Sequence, residues 1–228
     1  MIPAVNPETE TGNAFEHDLS DVFAERRKMK LSCPVILASA SPRRKELLSS
    51  MGLEFSVIPA EVDEISPDSG YPASEMVRLN ACLKAGAVAK RHPDSLVIGS
   101  DTMVVCEGRI FGKPHTAEEA VSMLKNLSGR AHQVMSGVAL RFGKYSLDHS
   151  FTEISRVKFK DLTDGAIREY MGQVNVMDKA GAYAIQEHPE LILDRLDGSL
   201  SNVIGLPVEH LTGELVRLGK EFNFLIGP

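Results

Sequence analysis

Ser39-Ala40-Ser41-Pro42-Arg43-Arg44 is the first stretch of this chain suited to holding an anion. The run before it, Val35-Ile36-Leu37-Ala38, is wholly apolar, as in a buried strand. Ser41 is a good N-cap and Pro42 suits the first position of a helix. The six residues therefore join a strand to a helix start. Free backbone N–H groups and the positive end of the helix dipole favour an anion there. Arg43 and Arg44 fall in the first turn, where positive charge opposes the dipole. An ordinary solvated face has no reason to carry that cost, and two bidentate donors suit a phosphate.

The second group is Gly99-Ser100-Asp101-Thr102, which follows the apolar run Leu96-Val97-Ile98. The run predicts a short buried strand ending at Ile98, with Asp101 just beyond it. Ligands of open α/β sheets bind outside the carboxyl ends of strands. A carboxylate facing a polyphosphate repels it unless a divalent cation intervenes, so Asp101 makes sense as a metal ligand. An aspartate at a strand end also caps turns, and the residue types leave both roles open. Asp63-Glu64, in a loop, could complete a Mg²⁺ site or hold an attacking water, although acid pairs in loops are commonly just solvated. Lys84, in the small-residue run Leu83-Lys84-Ala85-Gly86-Ala87, and Lys113, in Gly112-Lys113-Pro114, could each neutralise charge developing on a phosphate. Each could equally be a surface lysine. Gln186 closes Asp178-Lys179-Ala180-Gly181-Ala182-Tyr183-Ala184-Ile185-Gln186, and its amide has the donor and acceptor needed to read a base edge. Gly198-Ser199-Leu200-Ser201-Asn202, before Gly205-Leu206-Pro207, is either structural or a ligand loop. The seven histidines show no metal-ligand spacing, and His132 reads as a hydrogen-bonded structural residue rather than a general base.

Positioning these groups takes an alternation of strands and helices. A strand is predicted over Phe55 to Ile58, and a helix over about 74–90 with Met76, Val77, Leu83 and Val88 facing inward. Glu107-Gly108 is a hairpin turn between Val104-Val105 and Ile110-Phe111. Thr116 and Glu119 form a capping box for a helix running to about Leu127. Residues 131–141 and 151–160 read as long paired strands, 164–172 as a helix, 180–185 and about 191–196 as strands. A last helix starts at Pro207. The pattern predicts an α/β fold on a mixed, partly antiparallel sheet with flanking helices. Residues 34–228 read as one domain. Residues 1–33 read as an extension, unstructured to about residue 13, with Phe15, Leu19, Val22 and Phe23 marking an amphipathic helix around 15–29.

The formal net charge of −6 argues against a general nucleic-acid binder, which needs a basic face. It leaves room for a small anionic substrate, because the local field decides binding in a pocket. Cys33, Cys82 and Cys106 are too few and too scattered for a disulfide framework or zinc site, so reduced buried thiols are expected. No apolar run reaches the roughly 20 residues of a membrane span. The first 33 residues lack a continuous apolar stretch and carry Glu8, Glu10, Glu16, Asp18, Asp21 and Glu25, unlike a secretory signal or transit peptide. A cytoplasmic location is the expectation.

Taken in order, Leu37 to Leu48, Asp63-Glu64, Ala81 to Ala89, Gly99 to Val104, Gly112 to Pro114, Ser128 to Val138, Asp178 to Gln186 and Gly198 to Pro207 resemble the Maf family of nucleoside triphosphate pyrophosphatases. The resemblance runs from residue 35 to about 218. It implies a two-lobed α/β fold with a central cleft, similar to inosine-triphosphate pyrophosphatases. It also implies Mg²⁺-dependent (or Mn²⁺-dependent) cleavage of a nucleoside triphosphate between its α- and β-phosphates, and a homodimer. The family's functional positions fall on Ser41, Arg43, Arg44, Glu64, Lys84, Asp101, Lys113 and Gln186, with Glu64 and Asp101 as metal ligands. Arg43-Arg44, Thr102 after Asp101, and Gln186 resemble the branch acting on dTTP and UTP. The branch acting on 7-methyl-GTP tends to have an aromatic residue in the first motif, glutamine after the aspartate, and glutamate in place of this glutamine. The family's long association with septum formation implies a further possibility, a nucleotide-binding regulator of cell division with little catalysis. Ala184 and Glu187 stand where the family usually has glycines, Leu200 replaces a usual tyrosine, Met135-Ser136-Gly137 replaces a Val/Thr-Gly pattern, and Gln173 to Met177 lacks the usual Glu-Pro. These departures bear on substrate range more than on reaction type.

Overall fold

The computed structural model describes residues 29–227. The expected unstructured segment and amphipathic helix lie outside the described residues, apart from Met29, which is buried coil. In chain order the elements are β1 (Lys30–Leu31), β2 (Val35–Leu37), α1 (Pro42–Ser50), β3 (Ser56–Val57), α2 (Ala73–Ala89), β4 (Leu96–Cys106) and β5 (Arg109–Phe111). There follow α3 (Ala117–Leu127), β6 (Ala131–Phe142), β7 (Leu147–Phe159), α4 (Asp164–Gln173), α5 (Pro189–Ile192), β8 (Leu193–Asp197), α6 (Leu200–Ile204), α7 (Val208–Glu221) and β9 (Leu225–Gly227).

Seven strands form one mixed sheet in the order β3-β2-β4-β6-β7-β8, with β5 folded back onto β4. The β3-β2-β4 side is parallel and joined by helical crossovers, while β4, β6, β7 and β8 run antiparallel to their neighbours. β1 and β9 form a separate two-stranded ribbon. Alternation along the central strands sorts side chains between two cores. Val35, Leu37, Leu96, Ile98, Val138 and Leu140 enter the large one, with Leu47 and Leu48 of α1, Leu124 of α3, Ile167 of α4 and Leu211 of α7. Ile36, Val97 and Ala139 face the other way, onto Ala81, Ala85 and Val88 of α2. Each fully buried Val, Leu or Ile contributes about 1.5–3 kcal/mol, so both faces of the sheet are firmly covered.

The α2 face is made of small residues for a reason. A methyl group at Gly99 would overlap the backbone at Ala81, and one at Gly137 the backbone at Val77. The helix therefore rests directly on the sheet, and everything it carries is set by that approach. Gly137→Ala is expected to cost stability at the upper end of roughly 1–3 kcal/mol, because a helix rather than a flexible side chain must move. Chemical denaturation of the variant checks this, and an unchanged midpoint would contradict the close-approach account.

Three expectations need correction. The strand predicted to stop at Ile98 continues to Cys106, so Asp101 lies inside β4, opposite Gly137 of β6. The predicted strand at 180–185 is absent. A 3₁₀ turn occupies Ala180–Ala182, with positive φ at Gly181 and Ala182. The backbone N–H and C=O of Ala184 pair with the hydroxyl of Tyr170 at 2.9 and 3.1 Å instead of with a neighbouring strand. Leu83, expected to face inward, is 42% exposed, because the buried face of α2 runs through Val77, Asn80, Ala81 and Val88 and leaves it on the outer margin. The short helices α5 and α6 are additions to the predicted pattern. Cys106 is buried as expected, whereas Cys33 and Cys82 are only partly so, and all three are free thiols.

Candidate active site

The long β4 is paired unevenly. Leu96 to Ile98 lie beside β2, and Val104 to Cys106 lie beside β5. Between them, Gly99 to Met103 keep β6 on one side and face a notch on the other. Alternate side chains of β4 normally serve opposite faces of a sheet. At a notch, both faces reach the same space. A cavity of about 650 Å³ opens there. Asp101 thus lies beyond the carboxyl end of β2, its parallel neighbour, rather than beyond its own strand. Ser41, Arg43, Arg44, Glu64, Lys84, Asp101, Thr102, Lys113 and Gln186 all line this one cavity.

The first wall is the start of α1. Ser41 caps it, its hydroxyl accepting from the Arg44 N–H at 3.5 Å, and Pro42 follows as predicted. The two arginines then part company. Arg44 is built into the frame: its guanidinium donates to Gly205 O at 3.0 Å, Thr102 Oγ1 at 3.1 Å and Ser39 Oγ at 3.2 Å. Burial lowers its pKa, against the opposing pull of Asp101. Arg43 reaches across the cleft, donating to Asp178 Oδ2 at 3.0 Å and to Asp178 O at 3.3 Å. Burial works to raise the Asp178 pKa, but hydrogen bonds from Lys179 and Arg43 outweigh it and hold the carboxyl below its ordinary range.

The second wall is acidic with one cation inside it. Lys84 of α2 extends its ammonium to Glu64 Oε1 at 2.6 Å and Asp101 Oδ1 at 2.8 Å. Asp101 is 7% exposed, so its charge is not screened by bulk water, while half of the Glu64 side chain is open. One turn earlier on α2, Asn80 donates to Asp101 Oδ2 at 3.2 Å. Thr102 points to the other face, where its hydroxyl meets Ser136 Oγ at 2.9 Å.

The third wall is the β5–α3 connection and the 178–186 loop. Lys113 is exposed and, among the described residues, has no ion-pair partner. Gln186 is partly buried and lines the cavity from an irregular loop, not from a strand end. Arg43, Arg44, Lys84, Lys113 and Lys179 face Glu64, Asp101 and Asp178 across the lining. The pocket is thus locally basic although the chain carries a net charge of −6.

Sequence reasoning missed two contributors. Asn80 was masked by its place in an apolar helix face, although a lone asparagine there is itself a signal that a buried amide has partners. Asp178 opens the 178–186 stretch, and nothing in its residue type points to Arg43.

His132 lies outside the cavity lining, 2% exposed, with Nε2 2.9 Å from the Tyr183 hydroxyl. Burial pushes its pKa down to about 4. The folded state therefore resists protonating it, while the unfolded chain takes the proton near pH ~6.5. Its contribution to stability is full above that value and is lost as pH falls toward about 4, an effect of roughly 3 kcal/mol. His132→Gln is expected to narrow the acid sensitivity of the guanidinium midpoint. Equal midpoint differences from wild type at about pH 7.5 and about pH 4.5 would refute this.

The profile of the family described as "Maf-like protein" matches residues 34–218. The chain belongs to the Maf family. A Maf relative from Akkermansia muciniphila named dTTP/UTP pyrophosphatase is 48% identical over 188 residues, covering 82% of this chain and 97% of that protein. Proteins of the same name from Geotalea uraniireducens and Pelotomaculum thermopropionicum are 45% and 43% identical, covering 84% and 81% of this chain and 98% and 96% of their own. Among solved structures, the Ham1 protein of Staphylococcus aureus aligns with a TM-score of 0.47 at 17% identity, over 79% of this chain and 99% of that one. The cavity residues of this Maf protein all fall within the matched span.

Proposed function

We propose that this Maf protein hydrolyses nucleoside triphosphates, dTTP and UTP foremost, to nucleoside monophosphate and pyrophosphate with Mg²⁺. One observation carries the reading: the Lys84 ammonium sits between Glu64 and Asp101 in the same cavity that Arg43 and Lys113 line. Two hard carboxylates gathered about a positive charge suit Mg²⁺ or Mn²⁺, which commonly take one or two carboxylates plus substrate phosphates and water. When bound, the cation would offset phosphate charge and acidify a water.

The chain's own groups supply the rest. Arg43 can exchange its contact with Asp178 for a bidentate grip on phosphate. Lys84 and Lys113 spread the charge that builds as the anhydride bond breaks. Arg44 holds Ser39, Thr102 and Gly205 in place and so keeps the α1 N-terminus aimed at the cavity. Asp101 has both oxygens engaged and is the fixed acid. Glu64, half open and held by Lys84, is the acid free to turn toward an attacking water and accept its proton. Such work on the nucleotide pool belongs in the cytoplasm. The family resemblance supports a homodimer, with residues 34–228 as the catalytic domain and residues 1–33 as an extension.

Pyrophosphate release across dTTP, UTP, CTP, the purine triphosphates and 7-methyl-GTP, with and without Mg²⁺, tests the proposal. The expected result is Mg²⁺-dependent release, highest with dTTP and UTP. A preference for 7-methyl-GTP would assign the chain to the other branch, and nucleotide binding without release would replace the enzyme with a regulator.

Gln186 is the residue proposed to read the base. Thymine and uracil present an N–H beside a carbonyl, matching an amide's acceptor and donor. Glutamate keeps the acceptors and loses the donor. Gln186→Glu is therefore expected to lower kcat/KM for dTTP and UTP by about 10- to 100-fold, the cost of an unpaired base carbonyl, and to spare guanine substrates. An unchanged substrate profile would remove Gln186 from this role.

A further inference from the structure

Asn80 is a buried polar group behind the cavity wall, bonded to Asp101 and Ile65, and the catalytic scheme assigns it nothing. It is 0% exposed, in the middle of the face that α2 lays on the sheet. Its Oδ1 accepts from the Ile65 N–H at 2.8 Å, and its Nδ2 donates to Asp101 Oδ2 at 3.2 Å. The two partners fix the amide's orientation without ambiguity, since a backbone N–H needs an acceptor and a carboxylate needs a donor. Ile65 follows Glu64 directly. One amide thus ties the backbone carrying one acid to the side chain of the other. Lys84, four residues on and on the same side of α2, spans the same pair from the cavity side.

We infer that Asn80 is a positioning residue that sets the separation and orientation of Glu64 and Asp101, and thereby the cation affinity of the site. The inference rests on the reading of those two acids as metal ligands. With Oδ2 held from behind by Asn80, Asp101 presents Oδ1 to the cavity. With the Ile65 N–H held, Glu64 projects from a fixed point of an otherwise irregular loop. No other neutral side chain of this length offers a donor and an acceptor in one plane. Alanine leaves the Ile65 N–H unpaired and frees the Asp101 carboxylate to turn.

The test is Mn²⁺ binding, followed by electron paramagnetic resonance on the full chain with a non-hydrolysable dUTP analogue, beside thermal unfolding and the Mg²⁺ dependence of turnover. Asn80→Ala is expected to weaken Mn²⁺ binding by about 10- to 100-fold, the usual size of an effect on groups that orient metal ligands. The concentration of Mg²⁺ for half-maximal turnover should rise in step. Where alanine prevents folding, Asn80→Ser serves, because its shorter side chain can leave a water to satisfy the Ile65 N–H while removing the direct amide tie between that N–H and Asp101. A purely structural role predicts a lower melting temperature with wild-type Mn²⁺ affinity in the folded protein, and that result overturns the inference. Asp101→Asn and Glu64→Gln separate the two levels. If both bind Mn²⁺ like wild type, the metal-ligand reading itself fails. If both lose it while the Asn80 variants keep it, only the positioning role fails.

Discussion

Asp101→Asn is expected to lower kcat by about 10²- to 10³-fold, roughly 3–4 kcal/mol of transition-state stabilisation. The reason is charge in a place that water does not screen. Asp101 is 7% exposed, bonded on one oxygen to Lys84 and on the other to Asn80. An asparagine has the same shape but brings an NH₂ to one of two donors, so one contact becomes donor against donor. That conflict costs about 1–3 kcal/mol of stability, which the two surrounding cores should absorb. The loss of turnover should therefore appear in a protein that still unfolds cooperatively, and more Mg²⁺ should be needed to reach half-maximal rate. Wild-type turnover in the folded variant would remove Asp101 from the mechanism.

Lys84→Met should produce a fall of similar size, about 10²-fold or more in kcat/KM, by a different route. The methionine stem can follow the apolar path of the lysine along α2, so the helix stays seated. What disappears is the cation between Glu64 and Asp101 that also faces the phosphates. Since neither carboxylate is altered, dependence on Mg²⁺ should persist. The two variants are thus distinguished by their metal titrations as well as their rates. A Lys84→Met protein that turns over normally would mean the ammonium serves only to balance the acids.

The groups behind these expectations stand out by residue type in the sequence alone. Ser41 and Pro42 announce a helix start by local chemistry alone, and the arginines after them are conspicuous because they oppose the dipole. Asp101, Lys84 and Lys113 are ambiguous one by one, and what unites them is the notch beside β4. That notch arises from which strands stop where: β2 ends at Leu37 beside Ile98, and β5 ends at Phe111 beside Val104. Strand pairing at such distances leaves no periodic trace in the chain. The same holds for the 178–186 loop, whose apolar residues look like a strand but are satisfied by Tyr170 and by packing against the large core. Arg43 and Arg44 are adjacent and chemically identical, yet one faces Asp178 across the cleft and the other braces three segments. Only the helix twist and the neighbours separate them. Asn80 illustrates the reverse case, a residue whose oddness in an apolar helix was visible but whose partners, Ile65 and Asp101, come from elements distant in sequence.

In the proposed mechanism a single cavity holds a triphosphate by its basic wall and a divalent cation by Glu64 and Asp101. Anomalous diffraction from crystals grown with Mn²⁺ and a non-hydrolysable dUTP analogue tests it most directly. The predicted result is a Mn²⁺ peak coordinated by the Glu64 and Asp101 carboxylates, with phosphate oxygens completing its shell and touching Arg43 and Lys113. A nucleotide bound elsewhere, or a cation peak that neither carboxylate reaches, would contradict it.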